Sequence, residues 1–122
     1  MNGVRWTIEK VPPGSPELVD RTGSRTVATT DPATRRVCLS EALGGRFEVT
    51  VLIHELAHCV MVSYGLIDEI RRMTYPAYWV EMEEFVCNVI ADHGERIYQV
   101  AYQVVGYDAL RSLPDEMARL VA

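Results

Sequence analysis

The chain has 122 residues, 48% of them apolar and 24% charged, with a formal net charge of −5. Those values suit one soluble globular domain, 1–122, with a core of ordinary size. The acidic balance offers no general attraction to nucleic acid or to an anionic membrane. Arg35-Arg36 and Arg71-Arg72 are isolated pairs rather than a basic patch, so neither kind of partner is expected.

The start, Met1 to Thr7, lacks the apolar core of a signal peptide. Val4, Trp6 and Ile8 alternate with Arg5, Thr7 and Glu9, which predicts a strand ending at Pro12-Pro13-Gly14. A polar connector follows, with room for a short strand near Leu18 and Val19. Residues 25–30 and 36–39 flank Asp31-Pro32-Ala33-Thr34, whose Asp-Pro start signals a turn, and a β-hairpin is expected there. A short segment over 40–43 ends at Gly44-Gly45. A helix is expected over about 47–64 with Gly65 as its stop, since glycine takes the left-handed position after a helix without strain.

The stretch 66–78 contains Pro76 and reads as irregular. A second long helix is expected from Trp79, with Gly94 as a break before 95–105 and Gly106 as its end. Ser112-Leu113-Pro114-Asp115-Glu116 has the N-cap and early proline of a short C-terminal helix. The expected architecture is α+β, a small N-terminal antiparallel sheet followed by helices. Cys38, Cys59 and Cys87 are odd in number and show no Cys-x-x-Cys pairing. They read as buried free thiols of a reducing compartment, which points to the cytoplasm.

The chemistry is concentrated in His54-Glu55-Leu56-Ala57-His58, which uses two of the three histidines in the chain. On a helix, residues four apart share a face, so both imidazoles point the same way and can bind one metal ion. About 0.006 such pentapeptides are expected by chance in a chain of this composition, so accident explains it poorly. Val51, Leu52, Ile53, Leu56, Val60, Met61 and Val62 surround the motif as on a buried helix. Two imidazoles and a carboxylate are costly to bury there without a partner, and a metal supplies one.

A catalytic zinc centre needs a third protein ligand. The second helix offers Glu81, Glu83 and Glu84. At 100° per residue, Glu84, Asn88 and Asp92 fall within about an 80° stripe, with Glu81 in the same sector and Glu83 about 100° away from Glu84. A ligating histidine usually gives its second N–H to a carboxylate or amide oxygen. Asn88, one turn beyond Glu84, can accept it, whereas the residue at that spacing from Glu81 is Phe85. Glu84 is therefore the expected ligand and Glu81 the alternative.

These residues resemble the gluzincins, metallopeptidases that combine His-Glu-x-x-His with a downstream Glu followed four positions later by Asp or Asn, as in Glu84-Phe85-Val86-Cys87-Asn88. The small size and the short gap from His58 to Glu84 are similar to the minigluzincins, including the ImmA/IrrE-type and phage or mobile-element metallopeptidases. The resemblance covers roughly 26–92. It implies a zincin-like fold, zinc held by His54, His58 and Glu84, Glu55 as general base, and Asn88 orienting an imidazole. The chain departs from the family pattern at Ala57, where Gly is common, and at Phe85-Val86-Cys87, where the family continues with alanines.

The expected activity is hydrolysis of a peptide bond in a protein or peptide substrate, with zinc acidifying a water and Glu55 taking its proton. Tyr75, Tyr78 and His93 are candidates to stabilise the oxyanion, and Tyr78 is the one taken as catalytic. An edge strand of the hairpin could align an extended substrate. The alternative is a zinc-binding regulatory or interaction module with little hydrolysis.

Overall fold

The computed structural model describes residues 1–106. Its sheet has three strands, β1 (Thr7–Val11), β2 (Ala28–Asp31) and β3 (Arg36–Ser40), in the order β1-β3-β2. The hairpin forms as expected, with β2 antiparallel to β3 from Ala28 opposite Leu39 to Asp31 opposite Arg36. Asp31 shapes its turn by accepting hydrogen bonds from the Ala33 N–H at 2.9 Å and the Thr34 hydroxyl at 2.9 Å.

The sheet is mixed rather than antiparallel. β1 runs parallel to β3, Thr7 beside Arg36 through Val11 beside Ser40. Alternation along a strand shows which residues share a face, but it is silent on the direction of the neighbour. The long connector 12–27, with a 3-10 turn at Pro16–Leu18, carries the chain back across the sheet so that β1 lies beside the far strand of the hairpin. β1 also starts later than the alternation suggests. Trp6 leaves the strand pattern, packs on the core, and donates its Nε1–H to Ser63 Oγ at 2.8 Å.

β3 is the central strand and is buried on both faces. Val37 and Leu39 pack with Ala28 and Cys59 on one side, while Cys38 packs with Val11 and Leu18 on the other. Cys59 belongs to α1 (Gly45–Ser63), so the first cluster seats the helix on the sheet.

α1 ends at Ser63 with Tyr64 as its cap, and Gly65 follows in the left-handed region at φ 69°, as expected of a helix stop. The chain then turns by 89° into α2 (Leu66–Met73), where the sequence reading placed irregular structure. Three turns of apolar residues are absent here, and Leu66, Ile67 and Ile70 supply only one short stripe. That stripe suffices because Ile70 packs against Ala57 and Met61 of the preceding helix. Asp68 and Glu69 at the start and Arg71 and Arg72 at the end also oppose the helix dipole.

After a 3-10 turn at Pro76–Tyr78 comes α3 (Trp79–Val105). Its start is fixed by Arg71 stacking 4.9 Å over the Trp79 ring and by the Trp79 Nε1–H donating to the Thr74 carbonyl at 3.2 Å. Gly94 does not interrupt it. One glycine costs a helix interior only about 1 kcal/mol, too little to break a helix of this length. Two compact units divide the chain, Met1–Asp92 and His93–Ala122. The first holds the sheet, α1, α2 and the start of α3. The short C-terminal helix expected to open at 112–116 lies outside the described residues. No single helix among the described residues is long and apolar enough to cross a membrane.

Gly65 isolates one backbone effect. A Cβ there meets nothing within 4 Å, so only the positive φ opposes a side chain. Gly65→Ala is expected to destabilise the protein by about 1 kcal/mol, and Gly65→Asn by less, measured by denaturant unfolding. Equal stability of wild type and Gly65→Ala would contradict the left-handed stop.

Candidate metal centre

The motif lies in the middle of α1, and its two histidines are one turn apart as the i, i+4 spacing requires. Their Nε2 atoms approach to 3.1 Å, with the rings edge to face at 71°. α3 is brought to this point by an apolar cluster of Ala57, Met61, Ile70 and Cys87, with Ile67 and Val86 at its margin. Ala57 and Cys87 are small, which lets Glu83 and Glu84, one turn before Cys87, reach the histidines.

Glu84 faces both imidazoles. Its Oε2 lies 3.0 Å from His54 Nε2 and its Oε1 lies 3.4 Å from His58 Nε2. Donors about 2.0–2.1 Å from a tetrahedral zinc ion are separated by about 3.3 Å, so separations of this size fit one shared ion. Donor atoms of two residue groups among those described lie within 4.8 Å of one another: His54 with His58 and Cys87, and His58 with Glu83 and Glu84. These groups could hold a metal ion.

Glu83 plays a different part from Glu84. Its Oε2 sits 2.6 Å from His58 Nδ1, on the ring edge away from His54. One imidazole cannot turn both nitrogens to the same ion, so Glu83 fixes the ring while Nε2 faces the donors. The helical-wheel reading set Glu83 aside because it lies 100° from Glu84. It overlooked that a histidine ring has two nitrogens and can sit between two consecutive carboxylates. Glu81 is exposed on α3 and takes no part in this group. Asn88 is also exposed and lines a smaller hollow beside His54. It has no hydrogen bond to either imidazole among the described residues.

Two further groups reach the site from the N-terminal half. Arg21 donates to both Glu83 oxygens, at 3.3 and 2.9 Å, and to Glu84 Oε1 at 3.0 Å. It is presented by a turn in which Asp20 Oδ1 accepts from the backbone N–H groups of Thr22 and Ser24, at 2.8 and 3.0 Å. Thr30 of β2 donates its hydroxyl to Glu55 Oε2, and Glu55 itself is buried. Turn chemistry at Asp20-Arg21-Thr22-Gly23 was legible in the sequence, but nothing local says where the Arg21 side chain points. Thr30 gave no signal at all beyond its place in a strand.

A cleft of roughly 1080 Å³ opens over these residues, lined by β2, Arg21, His54, Glu55, His58 and Glu84 among others. Tyr75 and Tyr78 are exposed and do not line it. His93, also exposed, is the first residue of the second unit.

The charges are interdependent. Burial opposes a proton on His58, but hydrogen bonds to Cys87, Glu83 and Glu84 outweigh it and push its pKa up to about 12. Hydrogen bonds from His54 and His58 hold the Glu84 carboxyl far below the usual carboxylate range. Burial would raise Glu83, yet its bonds from His58 and Arg21 bring it below its ordinary value. Two cations, Arg21 and His58, thus face two anions, Glu83 and Glu84. A metal bound at Nε2 would take the place of the His58 proton, so acid would compete with it. Comparison with protein-family models, curated proteins and solved structures finds no match for the chain.

These shifts set a pH dependence for the metal-free protein. His58 is raised above its ordinary 6.5, so its contribution to stability is complete below that pH and is lost as pH climbs towards about 12. Glu83 and Glu84 are lowered from 4.5, so theirs is complete above that pH and is lost in acid. Chelator-treated protein is expected to show its highest Tm between pH 4.5 and 6.5, with a fall on either side. A Tm that keeps rising with pH on the alkaline side would contradict the His58–glutamate pairing.

Proposed function

We propose that the chain is a zinc metallopeptidase of the gluzincin type, with His54, His58 and Glu84 as ligands and Glu55 as general base. The observation that carries the reading is the convergence of both Nε2 atoms and the Glu84 carboxylate within 3.0–3.4 Å of one another, beside a buried Glu from the same helix. Two imidazoles and one carboxylate are the donor set of catalytic zinc in this class, and nitrogen donors disfavour magnesium and calcium. Zinc held there supplies a Lewis acid that acidifies water and polarises a carbonyl.

The chain's own residues divide the remaining tasks. Thr30 holds Glu55 Oε2 and leaves Oε1 to take a proton from water and pass it to the leaving amine. Glu83 accepts the Nδ1–H of His58, so the proton that a metal would displace is the one on Nε2. Arg21 steadies Glu83 and keeps Oε1 of Glu84 engaged while Oε2 faces His54. β2 is an edge strand of the sheet and lines the cleft next to Glu55. Its unpaired N–H and C=O groups can align an extended peptide, which makes a protein or peptide segment the substrate class. Three buried free thiols agree with a cytoplasmic setting.

Glu55→Gln is expected to bind one zinc per chain with hydrolysis of a peptide library reduced by about 10²–10⁴-fold. Glu84→Ala is expected to lose stoichiometric metal, measured by elemental analysis. Wild type that carries no divalent metal, or Glu55→Gln that cuts as fast as wild type, would overturn the reading. Glu83→Gln is expected to keep the fold and weaken zinc binding about 10–100-fold, measured by chelator competition. An unchanged affinity would remove Glu83 from its orienting role.

A further inference from the structure

The proposed ligand set leaves out the most deeply buried side chain next to it. Cys87 is fully buried, three residues beyond Glu84 on α3, and so lies one turn along on the same face. Its sulfur and one nitrogen each of His54 and His58 lie within 4.8 Å of one another. The other two thiols are placed elsewhere, Cys38 under Val11 and Leu18, and Cys59 between Val37, Leu39 and Ala28.

We infer that Cys87 is a fourth protein donor to the same metal ion, so that the centre can close as His54–His58–Glu84–Cys87. This deepens the metallopeptidase reading and rests on it. Each helix then contributes a pair of donors one turn apart, i, i+4 from α1 and i, i+3 from α3, which is enough to surround a tetrahedral ion. A zinc ion with sulfur at about 2.3 Å and nitrogen at about 2.0–2.1 Å separates the sulfur from each imidazole nitrogen by about 3.5 Å, against the 4.8 Å within which the sulfur and the two nitrogens lie here. Charge favours the arrangement. Two neutral imidazoles with Glu84 and a thiolate neutralise a dication, the thiol proton leaving to solvent, and a neutral centre is the least costly to bury.

The consequence is regulatory. Four protein donors define a closed site, three an open one. With Cys87 bound, the position water needs is filled and the centre is resting; with Cys87 withdrawn to its apolar pocket, the centre is open. The choice between zinc storage and hydrolysis then lies in one side-chain rotation.

The test uses cobalt and zinc on the full chain. One equivalent of Co²⁺ added anaerobically to metal-free wild type is expected to give the visible bands of a tetrahedral site and a near-ultraviolet sulfur-to-cobalt charge-transfer band. Cys87→Ser is expected to bind one equivalent without the charge-transfer band, and Cys59→Ser to retain it. X-ray absorption of zinc-loaded wild type needs no variant and is expected to show one sulfur neighbour. Cobalt or zinc bound at one equivalent with no sulfur ligand, or a charge-transfer band that survives Cys87→Ser, overturns the inference and leaves the three-ligand reading standing. Failure to bind either ion overturns both. In peptide hydrolysis, Cys87→Ser at saturating zinc is expected to turn over several-fold faster than wild type, and a slower variant would contradict the resting role.

Discussion

The position of one imidazole ring organises this molecule. His58 is nearly buried, with Nδ1 2.6 Å from Glu83 and Nε2 facing His54 and Glu84. With the His54–Glu84 pair at 3.0 Å it makes the polar contact between α1 and α3, beside the apolar contact of Ala57, Met61 and Cys87. Neither contact stands well alone. Buried charges without partners are strongly destabilising, and the small apolar cluster contains no large side chain from α3. Together they make a joint whose geometry is dictated by the donors. An ion-paired cluster of this kind is often no more stabilising than an apolar replacement, so its presence in a small domain is better explained by use than by stability.

The two halves of the chain meet at this joint by different routes. α1 is attached to the sheet through Cys59 against Val37, Leu39 and Ala28, which holds the helix rigidly from its other side. Asn2 and Trp6 further tie the end of α1 through Ser63, by bonds of 3.0 Å to its carbonyl and 2.8 Å to its hydroxyl. Arg21 and Thr30 then reach the carboxylates from the connector and from β2. The functional groups therefore come from four separate stretches, but only α1 brings more than one of them with a spacing that a linear pattern can display.

That difference explains what the sequence could and could not convey. The hairpin, the helix around the motif, its glycine stop and the start of α3 were all legible, because each is signalled within about ten residues by turn chemistry or periodicity. The parallel pairing of β1 was not, because strand direction depends on how a long connector travels. α2 was missed because its single stripe of Leu66, Ile67 and Ile70 is too short to display a helical period. In the site, His54, Glu55 and His58 stood out, and Glu84 was singled out over Glu81 because Asn88 lies one turn beyond it, although Asn88 makes no hydrogen bond to either imidazole among the described residues. Glu83 was misjudged because angular position on a helix was used to infer a contact that depends on the partner's shape. Arg21 and Thr30 act across 62 and 25 residues of sequence, and no local pattern reports such pairings.

The site's charge balance joins these observations. In the metal-free protein the protonated His58 and Arg21 offset Glu83 and Glu84, so the cluster is satisfied before any ion arrives. No buried side-chain nitrogen or oxygen among the described residues is left without a partner. A dication entering such a site would displace a proton rather than fill an unpaired void, and its net gain would be the difference between two well-paired states. The side-chain pairing is therefore complete without an ion among the described residues, unlike the bare ligand set of a small zinc finger.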